Sequence, residues 1–333
     1  MSKHSNEQTR EAGGGLTKAG NLPLVRELTE ELEALPVPVA ESNPGEMIGE
    51  SEMIRPEDLA YTHSVFVQCF MPVRHNEKNQ RRWQTDCGNT SLVIRAGELI
   101  KPESRGEFKE CSVPAGPKAR IVVAYINDYA YRRRSPLIDL GDSMREFMRS
   151  AGIPVGGKNG KELQRELENF AAAEILLGVW RPGESADQQQ TKVAQRMSFW
   201  IDKNPEQKTL WQPEMTLSKM YYDALMHGEH IAPIHWPANI ALQSNPRAMD
   251  VLNFLTYRLH KPLPRPVLLH VSVLHAMFGG DVKSPRHFWP RFLTAMKAAC
   301  KHYPDARIEV LNDAIKLYNS PALIPYRKVG RIE

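Results

Sequence analysis

The sequence predicts an α+β fold in which two winged-helix (helix-turn-helix plus β-hairpin wing) domains follow a largely disordered, acidic N-terminal arm. Two helices separated by a glycine-containing turn occur twice in the chain, and a pair of strand-like runs follows each time. The first 60 residues are mostly polar, glycine-rich or rich in proline and acid, apart from a short helix predicted at Pro23–Leu35. We therefore expect the arm at residues 1–60, the first winged-helix domain at 61–203 and the second at 204–325.

The charge distribution indicates a polyanionic partner. The 333 residues carry a formal net charge of +4. Residues 1–60 hold five Lys/Arg and twelve Asp/Glu, a balance of −7, so the remaining residues carry +11. Nucleic acid is the most common polyanion in a cell, and a body this basic attracts it.

Several classes of protein are disfavoured by what the sequence lacks. No run of about 18 apolar residues occurs, so we expect no membrane-spanning helix. The polar N-terminus lacks the apolar core of a secretory signal, which favours a cytoplasmic location. The cysteines lie far apart without zinc-finger spacing, so we expect free thiols and neither a metal nor another cofactor. They are Cys69, Cys87, Cys111 and Cys300.

A helix-turn-helix is predicted between Asp142 and Ala173. Asp142-Ser143 is a good N-cap for a short helix with one apolar face, and Gly152 ends it. The second helix, from about Gly160, turns these apolar side chains toward the core: Leu163, Leu167, Phe170 and Ala171. Its cations lie on the opposite face, from which a recognition helix contacts phosphates and base edges. They are Lys158, Lys161 and Arg165.

Two strand-like runs, Glu174–Trp180 and Lys192–Ile201, follow this helix and are joined by a polar loop. A hairpin directly after a recognition helix is typical of a wing, from which Lys192 and Arg196 would reach backbone phosphates. The alternative for the whole stretch is an ordinary helical hairpin with solvated lysines.

The second half of the chain repeats this order. A helix at about Asn245–His260 precedes a short helix at Val271–Phe278, the turn Gly279-Gly280 and a helix at about Pro285–His302. The candidate DNA contacts lie at the start and on the outer face of that last helix: Lys283, Arg286, Arg291, Thr294, Lys297 and Lys301. Residues 306–311 and 314–318 complete the unit as a hairpin. Because the two halves share negligible sequence identity, the repeat is architectural.

Three further elements precede the first helix-turn-helix. Ser64–Met71 and Thr90–Arg95 are rich in β-branched and aromatic residues, which predicts strands. Lys118–Tyr131 is predicted to be a helix. The three arginines that follow it, residues 132–134, suit the helix dipole as well as they suit phosphate contact.

Parts of the chain resemble the plasmid-encoded RepA replication initiators. The similar stretches are VPAGPKARIVVAYI (113–126), SPLIDLGDSMREFMRSAGI (135–153) and GGKNGKELQRELENFAAAEI (156–175). The tail FGGD…FWPRFLTAMKAACKHYPDARIEV of the second unit is also similar to that family. The resemblance covers about Tyr61 to Pro325 and is strongest over residues 110–180.

The resemblance implies that the protein binds repeated sites (iterons) in the double-stranded DNA of a plasmid origin and promotes local strand opening. Recruitment of a host initiator and the replicative helicase, and a homodimer that represses its own promoter, are also implied. Carried over to this sequence, the first recognition helix holds Lys158, Lys161 and Arg165. The second holds Arg291, Thr294, Lys297 and Lys301.

Two alternative functions stay open. One is a winged-helix transcriptional repressor, and the other is a metal-dependent rolling-circle nicking enzyme. The enzyme needs two histidines that flank one apolar residue, but the cluster His227, His230 and His235 contains no His-x-His triplet. Tyr125 and Tyr129 are expected to pack in the core, and GGKNGKE (156–162) lacks the Ser or Thr that completes a P-loop. We therefore expect no catalytic residues and no enzyme activity.

Overall fold

Small sheets and short helices alternate along the chain. The structure is a computed structural model that describes residues 54–76, 81–100, 106–179, 187–198, 213–227 and 230–325. Within these ranges the α-helices are α1 (Gly116–Arg133), α2 (Met144–Ser150), α3 (Gly157–Ala172), α4 (Lys219–Met226), α5 (Trp236–Ala241), α6 (Pro246–Arg258), α7 (Val271–Phe278) and α8 (Pro285–Cys300). Two 3-10 helices, Pro56–Asp58 and Ser64–Val67, precede them.

The strands form five small sheets in the described part of the chain. They are β1 (Leu59–His63), β2 (Arg82–Cys87), β3 (Thr90–Arg95), β4 (Glu98–Ile100), β5 (Phe108–Glu110), β6 (Leu137–Asp139), β7 (Glu174–Val179), β8 (Asp187–Lys192), β9 (Ala194–Met197), β10 (Glu214–Leu217), β11 (Ile231–His235), β12 (Val267–His270), β13 (Ile308–Val310) and β14 (Ala314–Leu317). The sheet orders are β1-β11, β6-β10-β9, β12-β14-β13, β2-β3-β7-β8 and β4-β5.

The first module runs from β1 to β8 and contains a helix, a turn, a helix and a hairpin in that order. Ser143 caps α2 by accepting a hydrogen bond from the Glu146 N–H at 3.2 Å. Gly152 then takes a positive φ of 67°, which a residue with a side chain adopts at a cost. The following helix, α3, buries its apolar face, and β7 and β8 pair antiparallel behind it, with Glu174 opposite Lys192.

The second module runs from α6 to β14 and repeats this order. Asn245 caps α6 through a bond from the Ala248 N–H, and β12 leads directly into α7. The next helix, α8, buries Phe288 and Phe292 against the core. Strand β14 lies between β12 and β13, so the hairpin that follows α8 closes a three-stranded sheet.

Strands and a buried ion pair join the two modules. β1, at the start of the described chain, pairs antiparallel with β11, which lies between the modules. Arg120 of α1 makes two 2.6 Å hydrogen bonds to the Asp250 carboxylate of α6, and both side chains are buried. The rings of Phe70 and Phe278 stack at 4.5 Å. The described residues accordingly form one compact unit.

The α+β class is confirmed, and most predicted elements are present. β3 has the predicted bounds, and α7 matches the predicted Val271–Phe278. The helix predicted at Lys118–Tyr131 extends to Gly116 and Arg133. The boundary predicted at 203/204, the helix predicted at 23–35 and almost all of the predicted arm lie outside the described residues. No helix in the described ranges has the length and apolar character needed to cross a bilayer.

Two strand predictions are wrong. Ser64–Met71 begins with a 3-10 helix, in which the Cys69 N–H bonds to the Val65 carbonyl at 2.7 Å. Most of the apolar residues there are buried, so the stretch shows no alternation of apolar and polar residues. Without that alternation, the sequence does not distinguish a strand from a turn. The second wing strand is not Lys192–Ile201, because β8 ends at Lys192 and the buried Val193 separates it from β9, which pairs with β10.

Candidate nucleic-acid interface

Helix α3 separates its apolar and cationic side chains as predicted. Leu163, Leu167 and Phe170 are at most 1% exposed. Lys158, Lys161 and Arg165 are exposed. Within the described residues neither lysine forms an ion pair, so both ammonium groups are available to an anion.

A buried carboxylate fixes α3 against the rest of the first module. Glu166 Oε1 lies 2.7 Å from His75 Nε2, and Oε2 accepts the Ala115 N–H at 3.0 Å. Burial alone would raise the pKa of Glu166, but hydrogen bonds from His75, Ala115 and Arg165 outweigh it and hold the pKa below its ordinary value. One turn further, Asn169 Oδ1 accepts the Ser112 N–H at 2.9 Å. These bonds hold the outward face of α3 in one orientation.

Arg165 is less free than the two lysines. Its Nε donates to Glu166 Oε1 at 3.0 Å, while slightly more than half of its side chain stays exposed. The guanidinium has further N–H donors, so it can contact a phosphate without breaking that bond. We expect a smaller contribution from Arg165 than from Lys161, because part of its charge is already compensated.

The turn before α3 is open to solvent. A Cβ added to Gly156 or Gly157 would meet no atom within 4 Å, and neither glycine lies in the left-handed region of φ. Gly156 is extended, with φ 178°, a conformation that any residue adopts, so the protein backbone does not require glycine at either position. The lack of side chains at both positions leaves the N–H groups of the first helical turn open to an approaching phosphate.

The predicted wing cations lie on different strands. Lys192 is exposed at the end of β8, within the hairpin that follows α3. Arg196 lies on β9, in the neighbouring three-stranded sheet, and its Nη1 is 3.6 Å from Glu214 Oε1. Placing Arg196 on the wing was therefore wrong, because the second strand of the hairpin is formed by residues 187–192.

Helix α8 shows the same separation of faces. The buried face holds Phe288, Phe292, Met296 and Ala299. The predicted contacts are all exposed: Lys283, Arg286, Arg291, Thr294, Lys297 and Lys301. Among the described residues none of the five cations forms an ion pair. α8 therefore presents more uncompensated positive charge than α3 does.

The start of α8 is anchored to α6. Arg247 pairs with Asp281 just before the helix, and both side chains are less than 10% exposed. The same guanidinium lies 5.7 Å from the centre of the Phe288 ring. Further along α8, the Thr294 hydroxyl donates to the Pro290 carbonyl at 2.9 Å, so it must rotate away before it can donate to DNA.

Sequence reasoning missed several parts of this surface. Strand β12 and the hairpin β4–β5 were not predicted. The hairpin contacts the candidate recognition helix, because Lys109 of β5 forms an ion pair with Glu168 of α3. The partner of Glu166 is 91 residues away, so no local pattern indicates it. The open space around Gly156 and Gly157 is a property of the three-dimensional structure, which the sequence does not indicate.

The residues weighed for a nicking site lie in structural contacts. The His227 and His230 rings are 5.1 Å apart, and His235 lies on β11 opposite Leu59. Tyr125 packs edge-on against Phe147 at 5.1 Å, and burial raises its pKa. A raised pKa leaves less of the phenol ionised near neutral pH, and the ionised form is the strong nucleophile.

A known protein family matches part of the chain. The sequence profile of a family described as plasmid encoded RepA protein matches residues 113–263, from α1 through α6. The match ends before α7 and α8. No curated protein sequence matches the chain significantly.

Solved structures similar to the chain include two crystal structures of domains 2 and 3 of RctB. One, of selenomethionine derivatives, has a TM-score of 0.46 and 7% identity and covers 77% of this chain and 98% of that one. The other has a TM-score of 0.45 and 8% identity and covers 76% and 94%.

Proposed function

We propose that the protein, whose residues 113–263 match the family described as plasmid encoded RepA protein, is a plasmid replication initiator that binds iterons in the double-stranded DNA of its origin. Its role is to open the origin locally and to recruit a host initiator and the replicative helicase, without catalysing a covalent step. A homodimer that represses the protein's own promoter is part of the same proposal.

One observation supports DNA binding most directly. Two helices, each following a turn and preceding a hairpin, turn uncompensated cations toward solvent while their apolar faces are buried. Phosphate contacts of exposed Lys and Arg give affinity and orientation, and the side chains between them read base edges in the major groove. The buried ion pair between Arg120 and Asp250 supports a single binding unit, in which both helices engage one duplex.

The test is a footprint on the replicon that encodes the protein. Full-length protein should protect a set of repeated sequences near its own gene, at spacings of whole helical turns. A replicon from which the gene is deleted should fail to replicate unless the gene is supplied in trans. Protection of the promoter alone, together with normal replication of the deleted replicon, would contradict the initiator and leave a repressor.

A separate assay addresses the enzyme alternative. Supercoiled origin DNA is incubated with the protein in the presence of Mg²⁺ or Mn²⁺, and the Tyr125→Phe variant serves as a matched control. We expect supercoils to be retained in every sample. Relaxation that needs the metal and is lost in the variant would contradict the proposal.

A further inference from the structure

The C-terminal end of α1 carries three consecutive arginines, each over a different tyrosine ring. The guanidinium carbons lie between 4.9 and 5.7 Å from the ring centres: Arg132 over Tyr61, Arg133 over Tyr129 and Arg134 over Tyr131. The Tyr61 and Tyr131 rings are themselves 4.8 Å apart. We call these six side chains the arginine–tyrosine cluster.

Two of the three guanidiniums are uncompensated. Arg132 donates to the Asp128 carboxylate at 2.9 and 3.0 Å and to the Leu59 carbonyl. Arg133 and Arg134 are exposed, and in the described part of the chain neither forms an ion pair or a side-chain hydrogen bond. A guanidinium that rests on an aromatic ring keeps its N–H donors for an anion.

The backbone at Arg134 gives an independent indication that its side chain has a use. Arg134 ends α1 in the left-handed region, with φ 52° and ψ 38°. It is the one non-glycine residue with a positive φ in the described ranges. Glycine is the usual choice at such a helix end, because a Cβ is strained there.

The helix dipole does not explain this position. It favours any cation in the last turn, and Arg132 and Arg133 already satisfy it. Glycine at this position would stabilise the fold, so the strained arginine is better explained by a functional side chain.

From these observations we propose that the arginine–tyrosine cluster binds single-stranded DNA, a role that rests on the proposed function because origin opening produces such a strand. Planar guanidiniums and aromatic rings stack on unpaired bases, and the N–H donors hold the phosphates between them. A duplex hides its base faces, so aromatic rings beneath the cations add nothing to its phosphate contacts. That all three cations are arginine over tyrosine therefore favours the unpaired strand.

The cluster adjoins the first helix-turn-helix. Tyr125 lies 6.3 Å from Tyr129 and packs on Phe147 of α2. Aromatic side chains thus connect the cluster to the motif that holds α3. A strand released beside the bound duplex would find the cluster on the same module.

The experiment measures single-strand and duplex binding on the same protein samples. Full-length protein is titrated into fluorescein-labelled dT25 in low salt, and separately into a labelled duplex that carries the footprinted site. Arg133→Lys with Arg134→Lys keeps the charge and removes the planar groups. We expect affinity for dT25 to fall about fivefold or more, the loss of one stacked base, while duplex affinity stays within twofold.

Arg134→Gly separates structure from binding. Glycine relieves the left-handed backbone, so the melting temperature should be unchanged or higher, yet affinity for dT25 should fall. A purely structural role for Arg134 predicts the opposite pair of results, a lower melting temperature with unchanged affinity.

Each remaining outcome is decisive. Failure of the unaltered protein to bind dT25, or equal binding by all variants, overturns the cluster. A parallel loss of dT25 and duplex binding also overturns it, because both would then use the recognition helices. If the unaltered protein binds dT25 through the cluster but binds no duplex, the proposed function fails and the cluster stands.

Discussion

Removing Lys297 and Lys301 together should make duplex binding less sensitive to salt. Both side chains are exposed at the end of α8 and have no ion-pair partner in the described residues. Each phosphate contact contributes about −0.9 to the slope of log affinity against log salt concentration. Changing both residues to alanine should therefore make the slope shallower by about 1.8, and the affinity deficit of the variant should shrink about twelvefold between about 50 and 200 mM salt.

The assay is fluorescence anisotropy with the footprinted duplex at four salt concentrations. Lys219→Ala is the matched control, since Lys219 is 85% exposed but already paired with Asp223 on α4. Its slope should equal that of the unaltered protein. Lys297→Glu with Lys301→Glu should abolish binding while circular dichroism shows an intact fold. A folded charge-reversal variant that still binds, or an unchanged slope in the alanine variant, would remove α8 from the interface.

Three further predictions concern the first module and its surroundings. Lys161→Ala should weaken duplex affinity and flatten the salt slope by about one unit, and Arg165→Ala by less; unchanged slopes in a titration would refute the contacts. Gly157→Ala should raise the free energy of unfolding by up to about 1 kcal/mol in urea denaturation but weaken duplex binding; unchanged binding would show that no phosphate approaches the turn. Burial, and then the neighbouring His230, lowers the pKa of His63 to about 3, so the unfolded chain binds more protons between that pH and about 6.5. The free energy of unfolding should fall by about 2 kcal/mol between pH 7 and 5 through this group, and His63→Asn, which keeps an acceptor for the Val65 N–H, should remove that part of the pH dependence; equal pH profiles for both proteins would refute it.

Local patterns were sufficient for the parts of the fold that repeat along the chain. The bounds of α7 follow from a mostly apolar stretch that ends at Gly279, and the faces of α3 and α8 follow from a period of 3.6 residues. Those same periods placed the exposed cations of both helices correctly on the surface. Whether these cations contact DNA stays a prediction.

Local patterns failed where distant residues decide the structure. The apolar composition of Ser64–Val67 predicts a strand, but other elements enclose the segment. The His63 side chain caps it by accepting the Val65 N–H, and a 3-10 helix begins there. The polar strand β8 has no apolar alternation and exists because β7 offers it a full row of backbone partners. Glu166 on α3 reads as a solvated glutamate until His75 and Ala115 are brought to it by the fold.

The junction formed by Arg120 and Asp250 limits how this protein can be recombined. Arg120 also donates to the carbonyls of Met71, Pro72 and Gly116, so one guanidinium connects the Met71–Pro72 segment and the start of α1 to α6. A truncation between the modules, or a chimaera whose new module lacks the matching residue, leaves a charge without its counterpart in a water-excluded site, at a cost of about 3–5 kcal/mol. Under the proposed function, exchange of specificity between replicons must therefore transfer both modules together, or alter single side chains on the outer faces of α3 and α8.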